Sequence, residues 1–329
     1  MNGKQNRLTF AALNNTPLLL FAAVFIVFGL VAPQSLRYQS LENAFKQASY
    51  IGIIAIGMTF VLLTGGIDLS VGSNMYVSAV VAGLTMQRYS TGPWPALLLC
   101  LLVGALFGIV NALAVTKLKI MPFIVTLATM VTGRGIGLMF SKSRAVNFPD
   151  SVTGLGSAEL FGLVPYPIVI FAGVVFCAWV LLERTTVGRQ IYAVGYDKET
   201  ARKASVGTDK AIALAYVLCG VFASLGGFIS IAQLGNVNAG FGKGDEFDAI
   251  AAAVLGGVSL FGGVGRVFPG VVLGAVFIRA VSNGLVSARV DLYLHPLVAG
   301  ALVFLAVLID SLRNTYLAKL SRRNIRVEA

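Results

Sequence analysis

Charged residues are scarce in this chain of 329 amino acids. They make up 12% of the sequence, against 57% hydrophobic residues, whereas soluble domains carry about 25% charged residues. A soluble protein of this composition would expose large apolar patches, and a disordered chain needs low hydrophobicity combined with high charge. Both classes are excluded, which leaves a protein that crosses a membrane several times.

Histidine, cysteine and nucleotide-binding motifs are rare or missing. His295 is the only histidine, which argues against a histidine-based zinc site and against a Ser-His-Asp triad. No G-x-x-x-x-G-K-[ST] motif occurs, so no ATP hydrolysis by this chain is predicted. Cys100, Cys177 and Cys219 fall inside apolar runs, where we expect buried small apolar residues and no disulfide framework. We therefore expect a protein that is not an enzyme, with no cofactor and no metal.

Long apolar runs are what the chain has in abundance. A helix of about 20 apolar residues crosses the hydrocarbon core of a bilayer, and backbone polar groups cannot stay unpaired in lipid. The runs are contiguous and do not alternate, which disfavours barrel strands. We predict an all-α polytopic membrane protein with a single domain over 1–329. The ten predicted segments lie near 17–33, 46–64, 72–88, 94–115, 121–140, 161–182, 211–234, 247–264, 267–288 and 293–310.

Lysine and arginine predict the orientation of these segments. With a cytoplasmic N-terminus, the inner side collects the basic residues of 1–10, 117–119, 184–210 and 311–329, which satisfies the positive-inside rule. Both termini are then cytoplasmic, with a tail at about 311–329. The net charge of +11 follows from this topology and from attraction to anionic lipid. No segment is large enough to form a soluble nucleic-acid-binding surface.

The polar stretch 183–210 is the longest one between two apolar runs. Its part from Asp197 to Ser205 predicts a short helix, because Asp197 can cap the start and Gly207 can end it. Ala201 and Ala204 would present a small face beside basic residues. Two interpretations fit this pattern equally: a docking element for a soluble partner, or an ordinary basic loop at the lipid surface.

The segment 57–73 joins two apolar runs through Gly65 and Gly66, followed by Asp68 and Ser70. Its simplest interpretation is a turn in which the side chain of Asp68 or Ser70 caps the next helix. The alternative is an unwound element that lines a solute path, since irregular backbone at membrane depth is stable only inside protein or beside water.

The segment 244–274 begins with the acids Asp245, Glu246 and Asp248 and continues into a glycine-rich run. Acids in a first helical turn complement the helix dipole, and the glycines permit close helix packing and a break. We predict two short helices around a bend.

Polar residues inside apolar runs are candidates for a translocation pathway. Arginine in a span should face the protein interior or reach an interface, and Arg279 can pair with Asn283 or with an acid on another span. A lining of such residues suits a hydroxyl-rich solute, although hydrogen bonding between helices explains each one equally well. The candidates are Thr64, Asp68, Ser70, Asn111, Thr126, Arg134 and Asn283.

Four stretches together resemble the permease subunits of ribose-type ABC importers, within the branched-chain and sugar permease superfamily. They are GMTFVLLTGGIDLSVGS at 57–73, MPFIVTLATMVTGRGIG at 121–137, TTVGRQIYAVG at 185–195 and EFDAIAAAVLGGVSLFGGVGRVFPGVVLG at 246–274. They occur in the family's order, and the resemblance covers about residues 40–311. The chain departs from the family at Tyr196, Asp197, Lys203 and Ser205, where Gly, Asn, Leu and Gly are usual.

The resemblance implies a vitamin B12-importer-like (type II ABC importer) fold of ten helices in the bacterial inner membrane. It implies import of a monosaccharide such as ribose, xylose, galactose or inositol by alternating access, without naming one. The implied partners are a second permease copy or a paralogue, an ATPase that is often a two-cassette polypeptide, and a periplasmic sugar-binding protein. An ion-coupled secondary transporter is the alternative.

The resemblance also favours the docking interpretation of 183–210, since residues 185–207 match the region that touches the ATPase. The implied coupling residues are Gly188, Arg189, Gly195, Glu199, Ala201, Arg202 and Gly207.

Overall fold

The computed structural model describes residues 16–295 and, beyond them, 297, 298, 300, 301, 304, 305 and 308. Eight of the 18 residues of the predicted tenth segment, 293–310, and the whole predicted tail, 311–329, lie outside the described residues. The α-helices in chain order are α1 (Thr16–Val31), α2 (Tyr38–Leu63), α3 (Val71–Tyr89), α4 (Pro93–Thr116), α5 (Pro122–Ser141), α6 (Asp150–Ser157), α7 (Tyr166–Arg184), α8 (Thr186–Tyr196), α9 (Lys198–Lys203), α10 (Thr208–Leu234), α11 (Asp245–Leu255) and α12 (Val272–Ser287).

Short strands tie the loops together without forming an extended sheet. The two-residue strand β1 (Val146–Asn147) pairs antiparallel with β4 (Asn236–Val237). A second pair is β2 (Glu159–Leu160) with β3 (Val164–Pro165). A 3₁₀ turn at Pro33–Leu36 precedes α2, and a π-helical turn at Val267–Val271 leads into α12. The predicted helical class is therefore observed.

Six helices in the described part are long and apolar enough to cross a membrane. They are Tyr38–Leu63, Pro93–Thr116, Pro122–Ser141, Tyr166–Arg184, Thr208–Leu234 and Val267–Ser287. Helix α3 has 19 residues, but its serines, Asn74 and Arg88 lower its hydropathy. The count of ten stays a prediction.

The packing is inverted relative to a soluble protein. Helix α4 is strongly apolar, yet most of its residues are not buried. Helix α3 is less apolar, but most of its residues are buried, among them Ser73, Asn74 and Ser78. Apolar side chains outside and hydroxyl or amide side chains inside are stable only when lipid is the solvent.

Glycine brings α4 and α10 into direct backbone contact. A methyl group at Gly108 would lie 2.5 Å from the Tyr216 carbonyl oxygen, and one at Gly104 would lie 2.5 Å from that of Gly220. Asn74 of α3 donates from Nδ2 to the Gly220 carbonyl at 2.9 Å. Small residues at four-residue spacing are the usual means of close helix association in membranes. Helices α2, α3 and α10, most of whose residues are buried, form the centre of the molecule, and α4 packs against α3 and α10.

Two predictions about individual segments are wrong in part. The predicted break within 244–274 is observed, because α11 ends at Leu255 and the glycine loop 256–266 follows, so only the bounds 247–264 of the predicted segment are wrong. The loop needs Gly257, Gly262 and Gly263 at positive φ (88°, 91° and 70°), a conformation that breaks a helix. Cys100 and Cys219 are buried as predicted, but Cys177 is exposed on α7.

Candidate functional site

A buried hydrogen-bonded group surrounds Asp68 in the turn between α2 and α3. The Asp68 carboxylate oxygen Oδ1 accepts from the backbone N–H of Ser70 at 2.9 Å and from the Ser70 hydroxyl at 2.6 Å. Asp68 and Ser70 are each 1% exposed. A carboxyl group in such a position is stable only when polar groups replace its water shell, and the two bonds from Ser70 supply part of that replacement.

Helices α4 and α5 supply the rest of the group. Asn111 of α4 donates from Nδ2 to the Ser70 hydroxyl at 2.9 Å and faces both Asp68 oxygens at 3.4 Å. Thr129 of α5 donates to the Asn111 side-chain oxygen at 2.8 Å, and Thr126 donates to the Ile67 carbonyl at 3.2 Å. We call Asp68, Ser70, Asn111, Thr126 and Thr129 the Asp68 network. It joins the α2–α3 turn to α4 and α5.

The helix-cap interpretation of this turn is only partly right. Ser70 precedes the first residue of α3, but its side chain makes no cap hydrogen bond. It donates instead to the carboxyl oxygen Oδ1 of Asp68 at 2.6 Å. Asp68 closes a turn on the backbone N–H of Ser70, two residues on, as is common for aspartate. Thr64 donates to the Val61 carbonyl at 2.8 Å, outside the network.

The predicted pathway residue Arg134 contacts groups outside the Asp68 network. Its guanidinium donates to the Phe241 carbonyl and lies over the Tyr76 ring at 5.5 Å. Gly72 of α3 also lies close to it, because a methyl group there would lie 3.3 Å from the Arg134 guanidinium and would overlap the Glu246 carboxylate. The arginine faces the interior, as expected for a charge in a span.

The remaining predicted residue, Asn283, lies near the first turn of α2. It donates from Nδ2 to the Ser40 carbonyl at 3.0 Å, which is a contact between helices. Arg279 pairs with an acid on another helix and not with Asn283. Its guanidinium is 2.6 Å from Asp248 and 3.6 Å from Asp245 of α11, and it lies over the Tyr50 ring at 5.2 Å.

A polar cavity of about 570 Å³ opens between α2, α6 and α10. Its polar lining comes from Asn43, Lys46, Gln47, Tyr50, Thr153, Ser157, Ser230 and Gln233. None of the seven predicted pathway residues lines it. Sequence reasoning missed this cavity, because its side chains come from three helices far apart in the chain.

Tyr216 of α10 is another residue that sequence reasoning missed. It is fully buried, and its hydroxyl has no hydrogen-bond partner among the described residues. A methyl group at Gly66 would lie 2.6 Å from that hydroxyl, so Tyr216 stands directly against the turn that carries Asp68.

The unpaired phenol leads to a stability prediction. A buried polar group without a partner costs about 1–3 kcal/mol, so Tyr216→Phe is expected to leave thermal stability in detergent unchanged or to raise it. Thr129→Val, which removes a hydroxyl that does donate a hydrogen bond, is the comparison and should lower the melting temperature. A Tyr216→Phe variant that melts well below the unmodified protein would contradict this prediction.

Two short helices, α8 and α9, form the polar region 183–210. The Thr185 hydroxyl accepts from the N–H of Gly188 at 3.2 Å, and the Asp197 carboxylate accepts from that of Thr200 at 2.6 Å. Asp197 therefore caps α9 as predicted, and this bond lowers the pKa of its carboxyl. Because that pKa is depressed, the cap stabilises α9 above the unfolded pKa, about 3.9, and is lost as the pH falls through the folded value.

The predicted end of this helix is wrong. Helix α9 ends at Lys203, and Ser205 adopts the left-handed conformation (φ 62°), whereas Gly207 precedes α10 with φ −72°. The predicted small face is also wrong, because Ala201 is buried and Ala204 is exposed.

The predicted coupling residues divide into two groups. Arg189, Glu199, Arg202 and Gly207 are exposed and form a charged surface. Gly188, Gly195 and Ala201 face inward instead. A methyl group at Gly188 would overlap the Leu182 carbonyl, and one at Gly195 would overlap that of Leu63. The first group is available to a partner, whereas the second holds α8 and α9 against the helices.

Comparisons with known proteins agree on one group of transport proteins. Residues 40–307 match the family described as branched-chain amino acid transport system / permease component. The ribose import permease protein RbsC of Escherichia coli K12 is 35% identical over 303 residues, covering 89% of this chain and 92% of its own length. The autoinducer 2 import system permease protein LsrC of Photorhabdus luminescens is 35% identical over 300 residues (90% and 89%). The D-allose transport system permease protein AlsC of E. coli K12 is 34% identical over 295 residues (89% and 90%). No solved structure gives a significant match.

Proposed function

This chain belongs to the family of branched-chain amino acid transport system permease components, and on that premise we propose that it is the membrane-spanning subunit of an ATP-driven sugar importer. Like its relatives, it is a transport component of the inner membrane and not an enzyme. The observation that carries the proposal is the identity of about 35%, over nine-tenths of the chain, with permeases named for ribose and autoinducer 2 import. The substrate is a monosaccharide or a similarly hydroxylated small solute.

The chain acts with partners that supply energy and substrate. A separate ATPase docks on the exposed residues of α8 and α9, and a binding protein delivers the sugar on the opposite face. A second permease copy or a paralogue completes the pathway. The absence of a P-loop motif in this sequence supports a separate ATPase. Both termini are cytoplasmic in this arrangement, and the ten segments follow the vitamin B12-importer-like order.

The permease alternates between outward-open and inward-open states. A ligand shifts such an equilibrium only through unequal affinity for the two states, so the sugar binds weakly inside the permease and specificity rests on the binding protein. The Asp68 network supports this proposal, because a buried turn held by a few hydrogen bonds between helices is an element that can adopt two discrete arrangements. The polar cavity between α2, α6 and α10 offers hydroxyl-binding groups to a sugar.

Reconstitution in vesicles tests the proposal directly. The chain is co-purified with its attached subunits, which mass spectrometry identifies, and sugar uptake is then measured with ATP and sugar-loaded binding protein. Uptake that requires ATP and the ATPase supports the proposal. Uptake by the chain alone, driven by a sodium or proton gradient, would establish the ion-coupled alternative instead.

Reversing a charge on the docking surface should weaken the ATPase contact. Arg202 is exposed on α9, and an exposed ion pair is worth about 0.2–1 kcal/mol, so Arg202→Glu loses an attraction and adds a repulsion. We expect ATP-driven uptake to fall by about fivefold or more, with normal membrane insertion. Arg144→Glu changes an exposed arginine on the predicted outer side and is the matched control for the amount of ATPase that co-purifies. Equal recovery of the ATPase with the two variants would contradict docking at Arg202.

A further inference from the structure

Helix α8, the glycine loop after α11 and the end of α2 meet through backbone contacts. The N–H of Gly263, in the glycine loop after α11, donates to the carbonyl of Leu63, the last residue of α2, at 3.0 Å. Gly195, in the last turn of α8, lies against this bond. A methyl group there would overlap the Leu63 carbonyl oxygen and would stand 2.5 Å from the Gly263 nitrogen. Only glycine fits Gly195 into this contact.

The glycine loop is attached to α8 at two further points. The Tyr192 hydroxyl of α8 donates to the Gly265 carbonyl at 2.8 Å. Gly262 packs against both α8 and the turn after α2, because a methyl group there would lie 2.8 Å from the Gly195 carbonyl oxygen and 3.0 Å from the Gly65 nitrogen. Helix α8, the loop and the end of α2 are therefore one close-packed body. Backbone atoms in such contact cannot move far independently, since packed interiors transmit strain.

The end of α2 leads straight into the Asp68 network. Leu63 is followed by Thr64, Gly65 and Gly66, and then by Ile67 and Asp68. Gly65 has φ 75°, the left-handed conformation that ends α2, and Gly66 packs under the Tyr216 hydroxyl. A shift of the Leu63 carbonyl thus acts through this short turn on the hydrogen bonds of Asp68 with Ser70 and Asn111.

We infer that Gly195 and Tyr192 are positioning residues that transmit displacement of α8 to the turn that carries Asp68. The inference rests on the proposed function, because it takes the ATPase to be what displaces α8. The exposed residues of α8 and α9 receive the motion, whereas Gly195 and Tyr192 pass it on through the glycine loop. Their role is distinct from docking, since Gly195 faces backbone and the Tyr192 hydroxyl is bound to a carbonyl.

The test measures ATP hydrolysed per sugar taken up, in vesicles that hold the complete complex with its ATPase and binding protein. Gly195→Ala wedges α8 away from Leu63 and should raise that ratio at least about fivefold, because a hydrogen bond of about 1 kcal/mol is displaced with it. Tyr192→Phe keeps the ring and removes only the bond to Gly265, and should raise the ratio about two- to fivefold. The ATPase should co-purify in normal amount with both variants.

Gly173→Ala is the control, because nothing lies within 4 Å of a methyl group at that position of α7. It should leave the ratio unchanged. A wild-type ratio in both Gly195→Ala and Tyr192→Phe, with complexes intact, overturns the inference. If Gly195→Ala fails to assemble, the ratio of Tyr192→Phe decides by itself. Failure of the proposed function looks different, because the unmodified complex would then show no ATP-driven uptake at all.

Discussion

Replacing Asp68 with alanine is expected to reduce ATP-driven uptake by roughly a hundredfold. The variant removes the acceptor for the Ser70 hydroxyl, the Ser70 backbone N–H and the Asn111 amide. A buried donor that loses its acceptor costs about 1–3 kcal/mol, and a change of 1.4 kcal/mol alters an equilibrium tenfold. Two donors left unpaired in one of the two states, but not in the other, therefore shift the balance between the states by about a hundredfold.

Two variants make the Asp68 experiment interpretable. Asp150→Ala removes an exposed carboxylate in the first turn of α6 and should leave uptake unchanged. Asp68→Asn keeps one acceptor oxygen for Ser70 but directs an amide N–H toward the Asn111 amide, so its uptake should be intermediate. Uptake near the wild-type level in Asp68→Ala would show that the network does not control the transport cycle. Loss of assembled protein in that variant would assign Asp68 a purely structural role.

Replacing Arg279 with methionine is expected to destabilise the protein by about 2 kcal/mol. Arg279 and its two aspartates are partly buried, with side chains 11–21% exposed, so breaking the ion pair from one side costs less than the about 3–5 kcal/mol of a fully buried pair. Here Asp248 and Asp245 of α11 would face each other without the guanidinium that lies 2.6 Å and 3.6 Å from them. Methionine is chosen because it preserves much of the side-chain volume over the Tyr50 ring. The measurement is the melting temperature of the protein purified in detergent.

A second change in the same cluster tests the electrostatic cause. In Arg279→Met with Asp248→Asn, the buried negative charge is reduced by one, so part of the lost melting temperature should return. Arg144→Met, at an exposed position, is the control and should melt like the unmodified protein. If the double variant is no more stable than Arg279→Met alone, packing and not charge accounts for the contribution of Arg279.

Local features of this protein were predictable because they depend on neighbours in the chain. Asp197 caps α9 through a bond to a residue three positions on, and the acids of α11 lie in its first turn as expected. The end of α9 was mispredicted at Gly207, because a serine at position 205 takes the left-handed conformation that usually selects glycine. The N–H of Val206 then donates to the Ala201 carbonyl at 3.0 Å and closes the helix, at a serine whose residue type does not indicate this conformation.

Composition and the length of the apolar runs were enough to predict a helical membrane protein and most of its helices. The thickness of the bilayer sets the length of a spanning helix, and the lack of water in lipid requires every backbone polar group to be paired, as it is in a helix. The order of its glycine-rich stretches pointed to the right family. The partners of the charged and polar groups came only from the folded chain: Asp68 with Asn111, Arg279 with Asp248, Gly195 with Leu63. Each pair joins residues at least 31 positions apart, and at that separation helix packing, not spacing along the chain, determines which groups meet.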